Sequence, residues 1–168
     1  MATRFDYKSI FEDESWVVVY DNAEGKDNEF YNMIMSEFEK SNYPNIDIQK
    51  VEIDTKKGFL QSSDKREMVL IEAKDSAFLQ YQVFFSAKIM GNVVMFSRME
   101  CMKRGFFAKL GGQSGDEISA MIRNQTQNLS QYEDFTALDT LSNILYSRAV
   151  TKLDPDYKEQ KLLLSKSS

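Results

Sequence analysis

No histidine occurs in this sequence, so few of its residues can carry chemistry. Ser-His-Asp and Cys-His catalysis are excluded in their usual forms. Zinc held through imidazole is excluded too, because the single cysteine cannot replace it. Any proton transfer would fall to a carboxylate, a lysine, a tyrosine or Cys101. Cys101 stands in Met99-Glu100-Cys101-Met102-Lys103-Arg104. The two basic residues would lower its pKa if they reached it, but neighbours along a strand point to opposite faces. Cys101 therefore reads as a buried, inert thiol on the face of Met95 and Met99.

Gly111-Gly112-Gln113-Ser114-Gly115 precedes a short helix expected from about Asp116 to Asn124. Glycines before a helix let backbone amides cradle a phosphate. The Lys followed by Ser or Thr of a P-loop is missing, and Asp116 and Glu117 would repel an anion. The stretch reads as a flexible connection. The carboxylate pairs Asp13-Glu14, Asp116-Glu117 and Glu133-Asp134, and Asp154 with Asp156, lack the alternating ligands and glycine of a calcium loop. No catalytic residue, no metal ligand and no cofactor is expected.

Two groups have the makings of a binding site. Methionine adapts to ligands of varied shape, and Met90, Met95, Met99 and Met102 crowd one strand. An apolar pocket between sheet and helices would be lined by Tyr81, Phe85, Met95 and Met99. The second group is basic: Lys103, Arg104 and Lys109 beside Phe106 and Phe107. Basic residues with aromatics can grip single-stranded nucleic acid. Three positive charges in a chain of net charge −5 make a weak footprint, so nucleic acid is disfavoured.

These residues need elements to position them. Trp16 to Tyr20 is a dense β-branched and aromatic run that reads as a strand. A helix is expected from about Asp27 to Ser41, with Phe30, Ile34 and Phe38 on one stripe and Tyr31 beside them. Pro44 pushes Tyr43 out of helical space and ends it. Ile46-Asp47-Ile48 and Val51-Glu52-Ile53 alternate out of phase, and a β-bulge at Gln49-Lys50 would return both to one face. Met68 to Ile71 is continuously apolar and reads as a central strand covered on both sides. Tyr81, Val83, Phe85 and Ala87 alternate with Gln82, Phe84, Ser86 and Lys88, and Val93 to Met102 returns after the tight Met90-Gly91-Asn92 connection. A longer helix, about Glu133 to Leu153, sets Leu138, Leu141, Leu145 and Ala149 inward, joined by Phe135 and Ile144.

The expected fold is α+β. An antiparallel meander of about four strands and a short N-terminal strand are packed on one face by an early helix and a long C-terminal helix. This two-layer arrangement is analogous to cystatin-like or helix-grip domains, an analogy that says nothing about ligand. Residues 1–154 form one domain and 155–168 a polar C-terminal tail, either loose or a short helix docked by Leu162-Leu163-Leu164.

Apolar residues at 42% and charged residues at 28% are ordinary for a globular chain. One cysteine and no apolar leader region point to the cytoplasm, and no run is long enough to span a membrane. Acidic residues crowd positions 5–29, a solvated face or a dock for a basic partner. The expected function is a non-catalytic protein-interaction or binding module, with a homodimer through the C-terminal helix as its assembly. The alternative is a carrier of a small apolar molecule, or an enzyme, with its pocket between sheet and helices.

Overall fold

Alternating side chains and short connections build one antiparallel sheet over the residues that the computed structural model describes, 10–54, 65–73, 81–102 and 129–166. The elements are β1 (Ile10–Val19), α1 (Lys26–Ser41), β2 (Ile46–Asp54), β3 (Lys65–Ala73), β4 (Tyr81–Met90), β5 (Val93–Met102), α2 (Leu129–Leu153) and α3 (Tyr157–Lys166). The strand order is β1-β5-β4-β3-β2. β2 to β5 are the expected meander, and β1 adds antiparallel to β5. α1 and α2 pack on one face of the sheet, giving a two-layer α+β fold.

β4 and β5 are joined by Gly91 and Asn92, and Gly91 holds φ at +65°. Glycine at the first central position of a two-residue hairpin turn accepts that angle without strain. The turn fixes the register, with Met90 opposite Val93 and Phe85 opposite Arg98. On the helix side the core joins Val69, Val83, Phe85, Val94 and Phe96 of the sheet to Phe30 and Ile34 of α1. Leu138, Leu145, Tyr146 and Val150 of α2 complete it. Two of its tyrosines hydrogen-bond to the sheet backbone. Tyr31 donates to the Glu67 carbonyl at 2.8 Å and accepts from the Ala87 N–H at 3.0 Å. Tyr146 donates to the Phe96 carbonyl at 3.0 Å.

A second apolar cluster lies on the other face of the sheet: Val51, Ile53, Met68, Leu70, Phe84 and Cys101, with Met99 against it. The expected bulge at Gln49-Lys50 is therefore corrected. β2 pairs with β3 without a break in register, so Ile46 and Ile48 face the helices while Val51 and Ile53 face away. The phase slip marks a strand with apolar neighbours on both sides, and no extra residue is needed. A register shift does occur in β1, between Ile10 and Glu12. β1 is also longer than the run from Trp16, because β5 offers ten residues of partner and pairing carries the strand through Asp13 and Glu14.

The segment after Pro155 continues as α3. Its first residue, Tyr157, is buried and donates to Glu14 of β1 at 2.7 Å. Trp16 Nε1 donates to Asp154 at 2.8 Å, and its ring meets that of Tyr157 edge-on at 4.9 Å. Tyr157 thus docks the start of this segment on β1; the side chains of Leu162 to Leu164, expected to dock it, lie outside the described residues.

Candidate functional site

The most chemically loaded cluster sits between the sheet and α2. Hairpin register puts Arg98 and Glu100 on the helix-facing side of β5, among apolar neighbours. Arg98 is 2% exposed. A buried guanidinium needs partners, and it has three. Its Nη2 donates to Glu100 at 2.5 Å and to Asp139 of α2 at 2.6 Å, and its Nε donates to Ser142 Oγ at 2.8 Å. Tyr81 of β4 donates to the other oxygen of Glu100 at 2.9 Å. Burial alone would pull the Arg98 pKa down, but Glu100, Tyr81 and Asp139 outweigh it and the net shift is upward. Burial first, and the Glu100 charge next, push the Tyr81 phenol well above 10. These shifts fix Arg98 as a cation and Tyr81 as a neutral donor. The arrangement ties α2 to the sheet.

A second charged cluster joins the two long helices. Glu37 of α1, itself buried, accepts from Lys40 and Lys152 at 2.8 Å each and from Arg148 at 3.3 Å. Hydrogen bonds from Lys152 and Lys40 hold its carboxyl at about 2. Among the described residues no group of three or more Cys, Asp or Glu side chains is placed to hold a metal ion. Also among them, no helix is long and apolar enough to cross a membrane.

An open, apolar groove runs along the outer side of α2. Tyr132, Thr136, Ala137, Thr140 and Ile144 recur at helical spacing there, and Tyr43 from the α1–β2 connection forms the facing wall. The groove holds about 440 Å³. Tyr132 and Ile144 are 43% and 40% exposed. Glu133 lines one end, and Asp134 is near enough to Tyr43 to add to the upward pull that burial exerts on that phenol. The groove is thus apolar along its length and acidic where Tyr43 meets the start of the described part of α2.

No family model matches the chain. No curated protein matches it. Among solved structures it is similar to the di-domain ARO/CYC StfQ from the steffimycin biosynthetic pathway, with 12% identity and a TM-score of 0.27. That match covers 83% of this chain and 50% of the other, so the chain spans half the length of that structure. Likeness at this level assigns no function.

The four residues expected to line one pocket are split by the sheet. Tyr81 and Phe85 face the helices, whereas Met95 and Met99 belong to the opposite face. An even residue of β5 stands opposite each odd residue of β4, so Phe85 shares its face with Arg98. Lys103, Arg104 and Lys109, the glycine-rich stretch and the residues expected to form a short helix after it lie outside the described residues. Ile144, expected inward, is corrected to the outer side: it lines up with Ala137 and Thr140, not with the buried Leu138 and Leu145. The Arg98 cluster is hard to read from the sequence because Arg98 and Glu100 look like solvated residues of an amphipathic strand. The two-residue turn at Gly91-Asn92 was the signal that could have found it.

Proposed function

We propose that this protein is a non-catalytic binding module whose groove along α2 takes an apolar segment of a partner protein flanked by basic residues. The groove itself supports this: about 440 Å³ of apolar-lined space on the outer side of a helix that is otherwise pinned to its sheet. Helical partners commonly seat their apolar stripe in such grooves. The acidic end, Glu133 and Asp134, selects for lysine or arginine next to the apolar anchors and against acidic flanks. The buried charged groups Arg98, Glu100 and Glu37 each have charged partners, which fits recognition better than turnover.

The test uses the full chain, isotopically labelled. Two sets of synthetic amphipathic peptides are titrated into it, identical in their apolar residues and flanked by lysine in one and glutamate in the other. Chemical-shift changes at Tyr132, Ala137 and Ile144 are expected with the lysine set and are lost in Ile144→Glu. Equal binding of both sets, or shifts confined to other elements, would overturn the proposal. Binding of small apolar molecules at these same positions, with neither peptide set binding, would return the carrier reading.

A further inference from the structure

Among the described residues β1 is an edge strand, and its second half lacks the usual defences. Exposed strand edges invite pairing with another chain and are normally blunted by charge, proline or a bulge. The opposite edge, β2, carries Asp47, Lys50 and Glu52. β1 keeps its register shift and its charges at its start, up to Glu14. From Trp16 to Val19 it is uncharged, and Val17 and Val19 are 55% and 74% exposed.

The backbone groups that face outward can be assigned. Tyr20 N–H donates to the Asn92 carbonyl at 2.8 Å. Alternation then turns the polar groups of the even residues toward β5 and those of Val17 and Val19 toward the open edge. Ser15 and Ser97, directly opposite, bond through their side chains at 2.9 Å, as suits a close pair that exchanges no backbone bonds.

We propose that β1 pairs antiparallel with β1 of a second copy about a two-fold axis at Val18, joining two sheets into one. Val17 then lies opposite Val19 of the partner subunit, and both carry outward backbone groups. Trp16 faces Tyr20 of the partner subunit. Charge selects this register: an axis at Val17 would set Asp13 against the partner's Asp21, whereas the axis at Val18 sets Ser15 there. The exposed valines also lie on one face with Met95 and Val93 of β5, so that apolar strip runs on across the axis. The inference stands independently of the groove on α2.

Sedimentation of the full chain over a range of concentrations tests it, with a dimer expected. Val19→Pro removes an outward N–H and no bond to β5, and Val17→Lys adds charge to the edge. Each is expected to give a monomer whose thermal unfolding remains cooperative. Residues opposite each other without backbone exchange have Cα atoms about 4.5 Å apart, within disulfide reach. Oxidised Val18→Cys is therefore expected to form a covalent dimer, and Val17→Cys is not. Cys101 is buried and does not compete. A monomer at every concentration would overturn the proposal. So would a dimer that survives Val17→Lys and Val19→Pro but dissociates in Ile144→Glu, or one that Val18→Cys fails to cross-link.

Discussion

Arg98 shows how one residue can decide how a helix sits on a sheet. Its fork reaches Glu100 on its own strand and Asp139 and Ser142 on α2, so strand and helix share one charged joint. Removing one member of a buried ion pair leaves its counter-charge in a poor medium, at a cost of about 3–5 kcal/mol. Arg98→Ala is expected to lose about that much in urea unfolding. Arg98→Lys restores charge without the planar fork and should recover only part of it. Tyr81→Phe removes the phenol donor to Glu100 and is expected to cost about 1–3 kcal/mol. A loss below about 1 kcal/mol for Arg98→Ala would mean that apolar packing, not the joint, seats α2. The sequence displayed this cluster only in part. Alternation separates the two faces of β5, but pairing across the turn is needed to know which face Phe85 joins.

At the scale of elements, Glu37 ties α1 to α2 through Lys40, Lys152 and Arg148. Its carboxyl is held at about 2 against an ordinary value of 4.5. A lowered pKa in the folded state means that the stabilisation is fully present above 4.5 and is lost as pH falls toward about 2. The difference in unfolding free energy between the wild type and Glu37→Gln should therefore be constant at neutral pH and shrink across that acidic interval. Urea titrations at several pH values would show it, and an unchanged difference at the acidic end would remove Glu37 from the clamp. Periodicity made the elements themselves legible: the stripe Phe30, Ile34, Phe38 marks α1, and strict alternation marks β4. It misleads at Gln49-Lys50, where an out-of-phase strand calls for a bulge only if one face alone is apolar; β2 has apolar neighbours on both faces. It also placed Ile144 inward, since an exposed isoleucine on a groove wall reads like a core residue.

For the molecule as a whole, the governing feature is a sheet whose central strands are buried on both faces. Met68, Val69, Leu70 and Ile71 are all buried, and they alternate between the helix-side cluster and the far one. That continuous run is readable in the sequence, and so is the buried Cys101 on the face of Met99 in β5; the parts of the far cluster drawn from β2 and β4 are not, because each of those strands supplies only one or two of its residues. Phe84 and Phe85 compare the two faces within a single strand, at 2% and 0% exposure. If both faces are core, Phe84→Ala and Phe85→Ala should each cost about 3–5 kcal/mol. Val19→Ala, at an exposed edge, should stay within about 0.5 kcal/mol in the monomer. Urea midpoints with unchanged slopes would report all three on one scale. A cheap Phe84→Ala beside a costly Phe85→Ala would mean that the far cluster yields to water without loss, leaving the helix side to hold the fold. Equal costs would mean that both faces of the sheet are committed to stability.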